Sequence, residues 1–207
     1  MSDLIAIIDY GSGNVRSVAN AFEAIGKSAI ICRDWKNLQK ASHIVLPGVG
    51  AFAHGMKQLN SLSLVDTLEK IVLHDGRPFL GICVGHQLLA DCGYEFGYEK
   101  GMGWINGKVE KIDVNHKKLK LPHIGWNSVE ISKINPLFLG MDSEPSFYFV
   151  HSYHLIPEDS SIISSTCQYG VKVIASIQKD NIFGVQFHPE KSQSEGLLLL
   201  KNFSEIN

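Results

Sequence analysis

The stretch Pro78-Phe79-Leu80-Gly81-Ile82-Cys83-Val84-Gly85-His86-Gln87 decides the fold. Residues 78–82 form an apolar run of strand length, which predicts a buried strand. Gly-x-Cys-x-Gly follows, and a helix is expected to begin just after Cys83. This is the thiol counterpart of a nucleophile elbow: flanking glycines let a strand turn sharply into a helix and present one side chain at the sheet's carboxyl edge. The partial positive charge of a helix N-terminus favours thiolate, the reactive form. A small buried cysteine in a glycine-rich turn is the ordinary alternative. The coincidence of strand, elbow glycines and helix favours the nucleophile.

Upstream, residues 4–9 (Leu-Ile-Ala-Ile-Ile-Asp) read as a buried strand that ends in the turn Gly11-Ser12-Gly13. Asn14 is expected to cap a helix through about Ile25, with Gly26 as its stop. Residues 29–32 and 43–46 read as further strands, and 62–73 as an amphipathic stretch. Buried strands alternating with helices predict βαβ units and a parallel sheet. After Gly101 the texture changes to short strand candidates at 109–114, 128–131, 147–150, 162–166, 171–177 and 182–187. Antiparallel pairing is expected there, above all across the polar turn Lys179-Asp180-Asn181. A last helix is predicted over 195–203. The fold class is therefore α/β: a three-layer arrangement of a mostly parallel central sheet and flanking helices, with an antiparallel β-rich second half. Residues 1–207 are expected to form one domain.

Composition agrees with that reading. The chain has 207 residues, 44% of them hydrophobic and 19% charged, which suits a chain with a proper core. Its 19 Lys+Arg against 21 Asp+Glu give a formal charge of −2 and no electrostatic footprint for nucleic acid or an anionic membrane. No apolar run reaches the ~20 residues that span a bilayer. The start lacks the basic and small-residue pattern of a signal peptide, and Asp3 and Asp9 argue against a transit peptide. Four cysteines without a CxxC pair predict reduced thiols and a cytoplasmic location. Cys32 and Cys167 read as small strand residues and Cys92 as a helix-end residue.

A cysteine nucleophile needs a base and a group that orients the base. Phe187-His188-Pro189-Glu190 supplies both at the end of an apolar strand. Glu190 is expected to accept one imidazole N–H while the opposite nitrogen of His188 faces Cys83. Acyl transfer also needs donors for a developing oxyanion. Leu46-Pro47-Gly48-Val49-Gly50 follows the third strand, where glycines let backbone N–H groups turn toward a ligand. Other motifs carry less. Gly11-Ser12-Gly13 hints at a dinucleotide loop, but Arg16 stands where the third glycine belongs. His151-x-x-His154 lacks any further ligand at metal-binding spacing. His86 is too near Cys83 in sequence to serve as its base, and is expected to bond the backbone or line the pocket.

Gly-Ile-Cys-Val-Gly-His-Gln together with Phe-His-Pro-Glu resembles the class I (triad) glutamine amidotransferases, which hydrolyse L-glutamine to glutamate and ammonia. The resemblance implies Cys83 as nucleophile, His188 as base and Glu190 as its orienting partner. It implies backbone N–H groups at Gly48, Val49 and Val84 for the oxyanion, and Gln87, Glu95, His151, Ser152 and Tyr153 for glutamine. No metal or organic cofactor is implied. Blocks from Asp9-Tyr10-Gly11 through Pro122-His123-Ile124-Gly125-Trp126-Asn127 to His188-Pro189-Glu190-Lys191-Ser192 are similar to those glutaminase subunits that feed ammonia to a HisF-type (β/α)8-barrel cyclase. Asn14, Arg16, Trp126, Tyr148 and Lys191 are then contact candidates for that partner. Two departures stand out. His86 replaces the Met usual in such subunits, and Ala90-Asp91-Cys92-Gly93-Tyr94-Glu95 keeps only the glutamate of the usual segment. Paralogues that serve surface-sugar pathways, and cysteine hydrolases or peptidases of the same fold, share much of this pattern.

Overall fold

The computed structural model describes residues 4–11, 13–114 and 119–206, so Ser12 of the Gly11–Gly13 turn lies outside the described residues. Four apolar runs form β1 (Leu4–Ile8), β2 (Ser28–Cys32), β3 (His43–Gly48) and β4 (Phe79–Cys83). Between them lie α1 (Val15–Ala24), α2 (Trp35–Leu38), α3 (Phe52–Ser61) and α4 (Leu64–Leu68), the last running into a π-helical segment, Glu69–His74. Then come α5 (Val84–Gln87), β5 (Ala90–Gly93), β6 (Glu99–Lys100), β7 (Ile105–Lys111), β8 (His123–Ser128), β9 (Glu130–Ile131), β10 (Ser146–His151) and β11 (Tyr153–Pro157). The chain closes through β12 (Ile163–Tyr169), β13 (Val171–Lys179), β14 (Ile182–Val185) and α6 (Gln193–Ser204).

The central sheet runs in the order β2-β1-β3-β4-β14-β13-β12-β9. From β2 to β14 every pairing is parallel; from β14 to β9 every pairing is antiparallel. Residues 5–8 of β1 and every residue of β3 and β4 are buried, which requires cover on both faces of the sheet and explains why these runs do not alternate. The expected hairpin at 179–181 joins β13 to β14, with Asp180 in the left-handed region at φ 51°. A second sheet, β11-β7-β5-β6, and the β8–β10 ribbon carry the remaining strands.

Several expectations are corrected. The helix leaving Cys83 is a single turn, because Ala90–Gly93 is taken as a strand beside β7. Cys92 is consequently a half-buried strand residue and not a helix end. The 128–131 strand is two strands: β8 pairs with β10, whereas β9 edges the central sheet. Asn14 does not cap α1 with its side chain; that amide is committed elsewhere.

The elbow itself is held by close approach. A methyl group at Gly85 would drive into the backbone carbonyl of Leu46 on β3, which nothing can move aside cheaply. Gly85→Ala is expected to cost more than about 3 kcal/mol, at the upper end for overpacking, and urea unfolding checks it. A variant within 1 kcal/mol of wild type, about the ordinary effect of a substitution, would show that β3 and α5 are not locked together here.

Candidate active site

Cys83 ends β4 and sits at φ 54°, ψ −111°, a strained conformation for a residue with a Cβ. Parallel pairing sets it level with Gly48 of β3. The next strand over, β14, ends at Val185, and the chain beyond it brings His188 to the same edge. That turn is firmly tied. The His188 amide donates to the Tyr148 carbonyl (2.9 Å), the Tyr148 amide to Ser192 Oγ (3.0 Å), and Ser192 Oγ to the His188 carbonyl (2.6 Å). Phe187 stacks on Phe147 beneath it, with ring centroids 3.9 Å apart.

His188 Nδ1 lies 2.7 Å from Glu190 Oε1, and the side chains of both are fully buried. Asn14 Nδ2 donates to the same oxygen at 2.5 Å, so the carboxylate is oriented from two directions. This is where the expected helix cap has gone. His188 Nε2 has no hydrogen-bond partner among the described residues, and His188 and Cys83 share the lining of one cavity.

A cavity of about 560 Å³ opens over this edge, the size of a small-molecule site. Cys83, His188, Val49, Val84, Gln87, Glu95, His151, Ser152 and Tyr153 all line it. Gly48 does not; it is buried behind the wall against Tyr10 and Val84. Glu95 also caps α3 from a distance, accepting the Phe52 N–H at 2.9 Å through Oε2.

The chain matches the family model described as glutamine amidotransferase class-I over residues 6–206. The chain belongs to the class-I glutamine amidotransferase family. It is 50% identical over 203 residues to imidazole glycerol phosphate synthase subunit HisH 1 of Campylobacter jejuni strain RM1221, covering 98% of this chain and 100% of that one. Identity to subunit HisH of Pelagibacter ubique is 45% over 206 residues, covering 98% and 99% of the two chains. Among solved structures, PurLQS from Thermotoga maritima superposes with a TM-score of 0.72 at 18% identity, covering 98% of each chain. A glutamine amidotransferase structure reaches 0.73 at 16% identity, covering 96% of each chain. At such identities these two speak for the fold alone.

In this amidotransferase, burial pulls down on the protonation of His188, but the Cys83 sulfur and Glu190 outweigh it and hold the imidazole pKa up, at about 10. An imidazolium at neutral pH can hold a thiolate on one side and a carboxylate on the other, and has a proton ready for a leaving group. Burial first, and then the charge on Cys83, raises the phenol of Tyr10, so that hydroxyl stays neutral beside the elbow.

The His86 departure has a steric counterpart. His86 is fully buried, and any side chain at Gly184 of β14 would collide with its ring. Neither ring nitrogen has a partner among the described residues, and burial, reinforced by His154, lowers its pKa to about 3. It thus neither bonds the backbone nor lines the cavity, contrary to expectation. The close approach of the His86 ring to Gly184 predicts a double-mutant result: Gly184→Ala destabilises by about 1–3 kcal/mol, and most of that loss disappears when His86→Ala is added. Additive losses in urea unfolding would break this link.

His151-x-x-His154 forms no metal site among the described residues, where no cluster of three ligating side chains occurs. His151 instead pairs with His123, Nε2 to Nδ1 at 3.0 Å. Sequence reasoning overlooked Gln186. It is completely buried, lies in the run that leads to His188, and its carboxamide reaches the Cys83 sulfur.

Proposed function

We propose that this chain is the glutaminase subunit of an imidazole glycerol phosphate synthase, acting as one domain over residues 1–207 in the cytoplasm. Cys83 is the nucleophile, His188 the acid and base, and Glu190 its orienting partner. The observation that carries the assignment is the buried 2.7 Å contact from His188 Nδ1 to Glu190, which leaves Nε2 on the Cys83 side of the cavity.

The Cys83 thiolate attacks the side-chain amide carbon of glutamine. The oxygen that becomes anionic faces the backbone N–H groups of Val49 and of Val84, both of which border the cavity; Val84 is the first residue of α5, whose amide has no intrahelical acceptor. As the C–N bond breaks, His188 Nε2 gives its proton to the departing nitrogen, and ammonia leaves a γ-glutamyl thioester. Neutral His188 then takes a proton from water, the hydroxyl adds to the thioester, and the C–S bond breaks. Glutamate departs and the thiolate–imidazolium pair is restored. Gln87, Glu95, His151, Ser152 and Tyr153, which border the cavity, hold the amino-acid end of the substrate.

Ammonia in water at neutral pH is mostly ammonium and is lost by diffusion, so it is delivered directly to a second chain. That partner is a HisF-type (β/α)8-barrel cyclase in a heterodimer. The face beside Glu190 suits it: Trp126 and Tyr148 meet edge to face with centroids 6.3 Å apart, Lys191 Nζ lies 5.8 Å over the Tyr148 ring, and Arg16 is exposed on α1. Asn14 belongs to the same face while bonding Glu190, so it links the partner side to the catalytic carboxylate.

The test is to assay glutamine hydrolysis by the chain alone and with a HisF-type subunit. Hydrolysis is expected to be weak alone, to rise on pairing, and to drive cyclase turnover without added ammonium. Full-rate hydrolysis by the isolated chain would contradict the coupling. Cleavage of peptides in preference to glutamine would replace the reading with a hydrolase.

A further inference from the structure

We propose that Gln186 is a positioning residue for the glutaminase reaction, donating an N–H to the Cys83 sulfur from a carboxamide that Gln87 locks in place. The inference rests on Cys83 being the nucleophile.

Its orientation follows from a single backbone carbonyl. Gln87 Nε2 lies 2.9 Å from the Tyr153 carbonyl, which can only accept, so the NH2 of Gln87 must face it. The second N–H of that NH2 points to Gln186 Oε1, also at 2.9 Å. Gln186 therefore has its oxygen engaged and must turn its own NH2 to Cys83, where Nε2 stands 3.8 Å from Sγ. Neither amide can flip without setting like against like. His151 Nδ1 lies 2.9 Å from the same Tyr153 carbonyl, and donation there fixes its tautomer, leaving Nε2 to accept from His123. Two runs of directed hydrogen bonds thus converge on one carbonyl at the glutamine pocket.

Gln186 is completely buried, and Gln87 is only 5% exposed while lining the cavity. An N–H donated to sulfur in such a setting favours the anion over the thiol. Directed at one side of Sγ, it also limits the χ1 wells open to Cys83. Because Gln87 borders the substrate, the amide pair ties the aim of the nucleophile to the wall that glutamine touches.

Gln186→Met keeps the length of the side chain and removes both the donor and the acceptor. The experiment measures alkylation of Cys83 by iodoacetamide against pH, read by mass spectrometry of the Cys83 peptide, alongside glutaminase kcat and KM of the complex. The half-maximal pH for alkylation is expected to rise by about one unit, and kcat to fall roughly ten- to a hundred-fold, with the smaller change in KM. His188 and Tyr10, the titratable groups that act electrostatically with Cys83, are untouched by the substitution. A folded Gln186→Met with wild-type alkylation and kcat overturns the proposal. Gln87→Met provides a second reading, since it removes the anchor and leaves Gln186 in place: a smaller shift of the same sign supports the relay, and an unchanged profile overturns it. Alkylation is scored without glutamine, so a wrong nucleophile would appear separately, as unimpaired hydrolysis by Cys83→Ala.

Discussion

Cys83→Ala is expected to reduce glutamine hydrolysis by at least about 10⁴-fold, while synthesis from added ammonium by the complex stays near the wild-type rate. The size follows from the division of labour. Removing the nucleophile removes the thioester route altogether, and the remaining groups only polarise an amide. Ammonium bypasses that step because it needs nothing from the elbow. The fold should survive: Cys83 is small and alanine retains its Cβ, so the strained φ of 54° is neither relieved nor worsened. His188→Asn should fall nearly as far in hydrolysis, because the contact to Glu190 is made by the imidazole whose other nitrogen serves Cys83. Loss of ammonium-driven synthesis in Cys83→Ala would mean that this chain does more than supply ammonia. Near-normal glutamine hydrolysis would remove Cys83 from the chemistry.

The parts of this site that sequence reveals are those whose chemistry is contiguous. Gly81–Gly85 and His188–Glu190 each pack a complete chemical argument into a few residues, and the apolar runs of β1, β3 and β4 announce a buried parallel sheet because both of their faces are covered. What stays hidden depends on partners distant in sequence. Gln186 looks like one more residue of an apolar strand, and only the approach of Gln87, 99 positions away, gives its carboxamide a direction. Asn14 reads as a helix cap until Glu190, 176 positions away, takes its amide. Glu95 appears as a pocket carboxylate, and its second duty at the start of α3 requires knowing that Phe52 lies beside it. The helix after Cys83 reads longer in the sequence than it is, because Leu88–Ala90 is apolar enough to prolong it, whereas pairing of Ala90–Gly93 with β7 ends it.

Acid should unfold this protein steeply, and the cause is four histidines held neutral inside it among the described residues. Burial is the leading cause in each: it lowers His86 and His151 to about 3, and His123 and His154 to about 4. In the unfolded chain each would take up a proton near pH 6.5. Between pH 6.5 and 4 the unfolded state therefore binds up to four protons that the native state refuses, and stability falls as pH falls. Each proton contributes up to about 1.4 kcal/mol per pH unit, so the four together approach about 5.5 kcal/mol per unit, enough to exhaust a stability of ~5–15 kcal/mol within one to three units. His188 works in the opposite sense. Its pKa is held up, at about 10, so its contribution is complete below pH 6.5 and drains away as pH rises toward 10. Stability should accordingly peak close to neutrality, with an acid limb steeper than the alkaline one. Urea unfolding across pH 4–9 measures both limbs. His86→Met should take one proton out of the acid limb and flatten it by about 1.4 kcal/mol per unit. An acid limb worth less than one proton would mean that these imidazoles are protonated inside the fold, and the neutral His123–His151 pair at 3.0 Å would have to be redrawn.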